Sequence, residues 1–331
     1  MAEITYVTQR LEHLGIVAGI CREIDLAGQI DRIVGPTERQ VNVGEAVQAM
    51  VLNALGFVGR PLYLTPEFFA NKPLDRLLRP GLRAEMLNDD SLGRALDILY
   101  ETGLTEIFAQ VASHALRRWD IQHRFVHLDT TSLSVEGEYE RPEEPGVVRI
   151  TRGYSRDERP DLKQVVVALL TSYRSALPLW IQALDGNTSD THTFPQVVEA
   201  YIAQLQEGEM PYLVADSALY SEANLQRLGE IRWLTRVPER IGLARALIEE
   251  VSASEMQPAD QEGYRELKLC TTYGGVRQRW LVIWSAQAEK RERATLQRQV
   301  SEERQEASKP GRACWATNSP PRKRRKRPWN G

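Results

Sequence analysis

Cysteine is scarce in this chain. Cys21, Cys270 and Cys314 lie far apart and form no CxxC pair. That argues against a zinc cluster and fits a reducing compartment. The five histidines (His13, His114, His123, His127 and His192) are scattered too, without an HxxxH pair. No run of about twenty apolar residues occurs, so no membrane span is expected. The opening Met-Ala-Glu-Ile-Thr-Tyr lacks the basic-then-apolar pattern of a signal peptide. Neither sign of charge dominates, since the net charge is −3 over 331 residues. Composition thus gives no global nucleic-acid signal, and any DNA-binding surface must be local. Internal repeats are absent as well. These absences lead to the expectation of a soluble, cytoplasmic protein.

What is present is ample material for a core. Hydrophobic residues make up 42% of the chain and charged residues 26%, and the length allows about two domains. From about 11 to 119 the pattern is helical. In the stretch 43–55, Val47, Met50, Val51 and Ala54 recur at i, i+3, i+4 and i+7, which predicts one apolar helix face. The stretch 90–100 opens with Asp90 and Ser91 as cap candidates and ends near Gly103. The stretch 105–119 is amphipathic. Pro36, Pro61, Pro66, Pro73 and Pro80 punctuate the region. Residues 1–120 are therefore expected to form an all-helical domain of five to seven helices.

The character changes at Arg124. Strand-like runs at 125–135, 163–171 and 178–184 precede a helix at 193–206, a strand at 211–215, a helix at 221–229 and a strand at 232–237. Antiparallel strands followed by βαβ units predict an α/β core over 121–238, a mixed sheet with helices on its faces. Residues 136–161, rich in Glu, Arg, Pro and Gly, read as a long exposed loop. Beyond Pro238, alternating runs at 264–273 and 277–284 flank Gly274-Gly275, which predicts a hairpin within a β-rich insertion, 239–285. A charged helix is expected over 286–307. The aperiodic stretch 308–331, with its basic run Arg322-Lys323-Arg324-Arg325-Lys326-Arg327, is expected to be disordered.

Two aspartates carry the chemistry. Asp129 closes the apolar run Phe125-Val126-His127-Leu128, and Asp216 closes Tyr212-Leu213-Val214-Ala215. A carboxylate at the end of a core strand is costly unless its charge is compensated. Two side by side repel, and a divalent cation of the Mg2+ type is the usual remedy. Such a site suits phosphodiester chemistry. The competing reading, strand-end aspartates making turn hydrogen bonds, would win for either residue alone.

Longer strings sharpen the reading. Gly153-Tyr154-Ser155-Arg156-Asp157-Glu158-Arg159-Pro160-Asp161-Leu162-Lys163-Gln164, Asp185-Gly186-Asn187-Thr188-Ser189-Asp190-Thr191 and Ala215-Asp216-Ser217-Ala218 accompany the Asp129 motif. Over residues 8–305 or so the chain resembles bacterial DDE insertion-sequence transposases of the IS-four superfamily, most closely the sixteen-thirty-four branch. The stretch Asn88-Asp89-Asp90-Ser91-Leu92-Gly93-Arg94 resembles part of the helical domain before the core in that branch, and the resemblance implies that this domain, residues 1–120 here, recognises the element's DNA ends. The resemblance implies an RNase H-like core and Mg2+ (or Mn2+) held by Asp129 and Asp216 as catalytic ligands. It also implies double-stranded DNA as partner, both transposon ends and target, with a homodimer as the working form. The expected location becomes the bacterial cytoplasm, at the nucleoid.

The family's third acid is a Glu on a helix after the β-rich insertion, in a Tyr, Arg, Glu, Lys pattern. No such pattern follows Gln305. Glu239, Glu289, Glu292, Glu302 and Glu303 stand in charged stretches that read as solvated faces, and none is assigned. A frameshift near 307–310 is the simplest account, leaving a crippled enzyme whose basic tail has no function. A two-frame gene read through by ribosomal frameshifting is the alternative. The rival functional readings are a noncatalytic DNA-binding remnant or regulator of the full-length transposase, and an RNase H-like nuclease unrelated to transposition.

Lesser candidates complete the inventory. Arg152, Arg156, Arg159 and Lys163 are candidate contacts to DNA phosphates, weighed evenly against ordinary surface charge because Asp157 and Glu158 lie among them. Asn187 supports the site or caps the next helix, and Asp190 reads as a cap. His127 shares a face with Asp129 and is read as a core or supporting residue. Thr131 and Ser132 are read as strand hydroxyls, since no G-x-S-x-G elbow occurs. Trp233, Trp280 and Trp284 are read as core packing, with an aromatic beside a flipped DNA base as the family alternative.

Overall fold

The structure, a computed structural model, describes residues 8–307 apart from 141–143, 145, 156–157 and 206–209, and leaves the side chains of 190–192 undescribed. The stretch 308–331 lies outside the described residues. Two compact units divide the chain, Met1–Pro238 and Glu239–Gly331.

Helices fill the first part of unit one: α1 (Leu14–Glu23), α2 (Leu26–Val34), α3 (Val43–Ala54), α4 (Thr65–Phe69), α5 (Leu74–Leu77), α6 (Asp89–Thr102) and α7 (Leu104–Arg118), with 3-10 turns at Leu62–Leu64 and Ala84–Leu87. Capping sets their starts. Asn42 precedes α3, and its backbone N–H donates to Glu45 Oε2 at 3.0 Å, half of a capping box. The cap of α6 is Asn88, whose side chain accepts the Ser91 N–H at 2.9 Å. Asp90 and Ser91, the expected caps, are already helical. Leu14, Leu52, Leu77, Leu87 and Leu92 are fully buried in the shared core of these helices.

Helix α3 turns a different face inward from the one expected. Val43, Ala46, Ala49 and Leu52 are fully buried, whereas Val47, Met50 and Val51 are half-buried and Ala54 is exposed. Close approach explains the rotation. A Cβ on Gly44 would lie 2.1 Å from the Ala27 carbonyl oxygen, so α2 and α3 touch backbone to backbone. Only small side chains fit that contact, and the bulkier ones are displaced to its flank.

The second part of unit one is a mixed sheet. Its elements are β1 (Phe125–Val135), β2 (Lys163–Ser172), β3 (Pro178–Leu184), α8 (Asp190–Ile202), β4 (Tyr212–Ala215), α9 (Glu222–Leu228) and β5 (Trp233–Thr235). The spatial order is β3-β2-β1-β4-β5. The first three strands pair antiparallel; β4 joins β1 in parallel, and β5 joins β4 in parallel. This is the α/β order expected, and β2 shows its strict alternation, with Gln164, Val166, Ala168, Leu170 and Ser172 all buried. Phe194, Val197 and Val198 of α8 and Leu225 and Leu228 of α9 are buried too. Helix α7 packs on β3, tying the helical part to the sheet.

Unit two holds α10 (Gly242–Glu250), β6 (Gln257–Pro258), β7 (Tyr264–Tyr273), β8 (Val276–Ser285) and α11 (Ala286–Ala307). Gly274 and Gly275 both take positive φ, 58° and 77°, which suits a tight two-residue hairpin turn and a glycine at each place. Helix α11 buries none of its residues and is laced by pairs such as Arg293–Glu289, four residues apart at 2.6 Å.

Candidate active site

Strand register brings the two aspartates level. The β1–β4 pairing runs from Phe125↔Tyr212 to Leu128↔Ala215 and stops there. The next residue on each strand is an aspartate, Asp129 on one and Asp216 on the other. Adjacent strands lie about 4.8 Å apart, and each aspartate is the residue that follows the last parallel pair, so the two start from neighbouring backbone positions. Both are exposed. Asp129 is not at a strand end, however. It is the fifth residue of β1, which continues to Val135 beside β2 alone. What ends at Asp129 is the β4 partner, and the opened edge leaves room beside the carboxylate.

Local hydrogen bonds hold the pair. Asp129 Oδ1 accepts the Thr130 N–H at 2.8 Å. Asp216 Oδ1 accepts the Ala218 N–H at 2.9 Å, and its carbonyl accepts the Thr235 hydroxyl at 2.5 Å. The last contact ties the loop after β4 to β5. Carboxylate oxygens are hard donors, and two of them with water and substrate phosphate match the habits of Mg2+ and Mn2+. The residues present therefore fit such an ion. Among the described residues, no three His, Cys, Asp or Glu side chains gather as a metal site. Glu289, Glu292 and Glu302 pair instead with arginines on α11.

The neighbours sort by strand phase. His127 lies on the Asp129 face, half-buried and stacked on Tyr173 with centroids 5.7 Å apart. Thr131 is exposed on that same face. Thr130 and Ser132 point inward; the Ser132 and Ser134 hydroxyls are buried without a hydrogen-bond partner. Trp233 is half-buried and meets Tyr220 edge-to-face at 6.4 Å, whereas Trp280 is buried with its N–H on Gln278 at 2.9 Å. Trp284 is half-buried.

The described candidate phosphate contacts, Arg152, Arg159 and Lys163, are not gathered at the aspartates. Lys163 pairs with Val135 at the far end of the β1–β2 hairpin, six residues along β2 from Leu169, which faces Asp129. That is roughly 20 Å. Its ammonium donates to the Glu138 carbonyl. Arg159 makes a two-point pair with Asp161, at 2.9 and 2.8 Å, and that bond holds the guanidinium above and the carboxyl below their ordinary pKa values. Arg152 donates weakly to the Asp161 carbonyl at 3.4 Å. Arg156 lies outside the described residues. Arg159 and Lys163 are thus already engaged within the chain.

A constellation that sequence reasoning left without a role sits at that far end. Gln164 is buried and donates to the Gly186 carbonyl at 2.7 Å and the Tyr154 carbonyl at 3.1 Å. A Cβ on Gly186 would meet the Gln164 carbonyl oxygen at 1.9 Å, and one on Gly153 would meet the Gly186 carbonyl oxygen at 2.1 Å. Asp185 accepts the Arg149 backbone N–H at 2.9 Å and its Nε at 2.8 Å, and the backbone bond above all lowers its pKa. The strings around Gly153 and Asp185 therefore meet around one glutamine. Helix α8 starts after Ser189 as N-cap, with Asp190 its first residue and Asn187 exposed before it. Asp190 is thus not the cap residue, and its side chain lies outside what is described.

Residues 6–113 match a domain of unknown function, DUF4277, and residues 120–314 match the family described as "Transposase DDE domain". No curated protein matches. Solved structures similar to the chain include the Mos1 strand transfer complex (14% identity, covering 79% of this chain and 88% of that one, TM-score 0.23). Another is the Mos1 mariner paired end complex with Mn (15% identity, 69% and 77% coverage, TM-score 0.24). A third is the piggyBac transposase synaptic complex with hairpin DNA (8% identity, 86% and 54% coverage, TM-score 0.32). These overlaps are loose, and the assignment stands on the sequence match, which spans more than half of the chain. This chain belongs to the transposase DDE domain family.

Proposed function

We propose that the chain is a metal-dependent DNA strand-transfer enzyme of the insertion-sequence type, with Asp129 and Asp216 as its catalytic ligands. The observation that supports this most is the parallel β1–β4 register, which runs out at Leu128↔Ala215 and leaves one aspartate beyond each strand. Mg2+ (or Mn2+), when bound, would activate water or a DNA 3′-hydroxyl and neutralise charge on the scissile phosphate. The chain's own part is positioning. The Thr130 and Ala218 N–H groups orient the two carboxylates, and Thr235 anchors the loop that carries Asp216. Because both carboxylates are exposed, a duplex can reach them without opening the core.

The proposed partners are double-stranded DNA, as transposon ends and target, and a second copy of the chain. Among the described residues no helix is long and apolar enough to cross a membrane; a cytoplasmic, nucleoid-associated site of action is part of the proposal. So is the sixteen-thirty-four branch. The family's third acid remains unassigned, and two carboxylates alone hold metals loosely. Cleavage by this chain is therefore expected to be weak, and to rise when a chain restored to the family's Tyr-Arg-Glu-Lys helix is assayed instead.

The test is strand cleavage and joining on duplexes carrying the element's ends, with Mg2+ or Mn2+. Asp129→Asn and Asp216→Asn are each expected to lower turnover at least about 100-fold. End binding with no cleavage in either metal, even by the restored chain, would replace this reading with that of a noncatalytic DNA-binding regulator. Cleavage without joining would point to a nuclease.

A further inference from the structure

The end of the sheet opposite the open end of β1 carries a run of arginines on rings. Arg124 precedes β1, Arg232 precedes β5, and Arg174 lies in the turn from β2 to β3. Backbone bonds fix them side by side: Tyr212 N–H donates to the Arg124 carbonyl at 2.8 Å, Leu213 N–H to the Arg232 carbonyl at 2.8 Å, and Tyr173 N–H to the Phe125 carbonyl at 3.0 Å. Phe125 stacks on Tyr212 at 5.3 Å and meets Tyr173 edge-to-face at 6.1 Å. Onto this aromatic row the guanidiniums are laid. Arg124 lies 5.5 Å from the Phe125 centroid and 5.9 Å from that of Tyr212, Arg232 lies 5.5 Å from Tyr212, and Arg174 lies 5.8 Å from Tyr173.

All three arginines are exposed, and among the described residues none of them forms an ion pair with a carboxylate. A shallow groove of about 380 Å³ beside Arg124 adds Arg117 and His123, with Asp120 as the opposing charge in its wall. Glu230 is a further acid close by in sequence. Positive charge is concentrated here in a chain whose net charge is −3.

A guanidinium held over a ring face by cation–π attraction is restrained there, and its N–H donors suit a phosphate. Phe125 and Tyr212 are half-buried against one another and the arginines, so what this row presents outward is mainly guanidinium. Phosphate contact without base contact is insensitive to sequence. From Arg124 to Asp129 the strand advances five residues, roughly 16 Å at 3.3 Å each. For a duplex lying along the direction of β1, that spans about five base pairs at 3.4 Å per pair.

We propose that Arg124, Arg174 and Arg232 form a sequence-independent anchor for the phosphate backbone of duplex DNA, about five base pairs from the phosphate that Asp129 and Asp216 address. The anchor deepens the strand-transfer reading and rests on it.

The test is fluorescence anisotropy of a fluorescein-labelled, random-sequence duplex with the full chain over a KCl series. Each lost phosphate contact lowers the slope of log affinity against log salt by about 0.9. The triple variant Arg124→Gln, Arg174→Gln, Arg232→Gln is expected to bind more weakly and to lose about 2–3 from that slope. The corresponding triple lysine variant is expected to keep most of it. A charge-matched control on α11, Arg291→Gln, Arg293→Gln, Arg298→Gln, is expected to match the unsubstituted chain, and circular dichroism melts report that all four proteins fold. An unchanged slope in the glutamine triple, or an equal loss in the control, would overturn the anchor and leave the strand-transfer reading standing. If the unsubstituted chain bound no duplex at any salt concentration, both would fall.

Discussion

Asp185 shows how one residue's surroundings set its behaviour. The Arg149 N–H, and then the Arg149 side chain, favour its ionised form, so its folded pKa lies below that of the unfolded chain. Its stabilising effect is present above the ordinary carboxylate range and is lost as pH falls through the depressed folded value. Asp185→Asn is expected to cost about 1 kcal/mol at pH 7, discounted for partial exposure. The difference should shrink in acid, as denaturant titrations at several pH values will read. Asp31 runs the other way. Burial first, and then Glu45 and Asp25, raise its pKa, while its Oδ1 accepts the Gly44 N–H at 2.8 Å. The carboxyl contributes most below its unfolded pKa and loses that contribution as pH rises through the raised folded value. Asp31→Asn keeps an acceptor without the charge, so it is expected to raise the melting temperature at pH 7. Asp129 and Asp216 stand out in the sequence because each follows its own apolar run. Asp185 does not, because its partner Arg149 is distant along the chain and no pattern announces such a pair.

At the scale of elements, alternation was the readable signal. The β2 run and the β7–β8 hairpin around Gly274-Gly275 fall where their patterns put them, since period-two burial leaves a plain trace. The inward face of α3 was misread because apolar bulk outweighed smallness. The Gly44–Ala27 approach selects for small residues, and that selection leaves little hydrophobic signal. Gly44→Ala is expected to destabilise the chain by about 1–3 kcal/mol, measured by urea unfolding, because the contact it meets is backbone and cannot swing aside. A similar change at the open Gly93, where an added Cβ meets nothing within 4 Å, is expected to be neutral or stabilising. The length of β1 was read correctly, yet the end of its β4 partner at Leu128, which opens the edge beside Asp129, appears only once the strands are paired.

For the whole molecule, strand order gives distant segments their common purpose. The order β3-β2-β1-β4-β5 sets Asp129 next to Asp216 although a hairpin, a third strand and a helix separate them along the chain. The same order collects Arg124, Arg174 and Arg232 at the opposite end of the strands. Residues 1–238 gather into one compact unit, so this fragment is expected to melt cooperatively on its own, as near-ultraviolet circular dichroism would show. The central claim is that Asp129 and Asp216 share a divalent cation, and titration of the full chain with Mn2+, followed by electron paramagnetic resonance of the free ion, tests it most directly. The account predicts a Mn2+ site that either Asp129→Asn or Asp216→Asn removes while the melting temperature is kept. Equal Mn2+ uptake by the unsubstituted chain and both variants would contradict it.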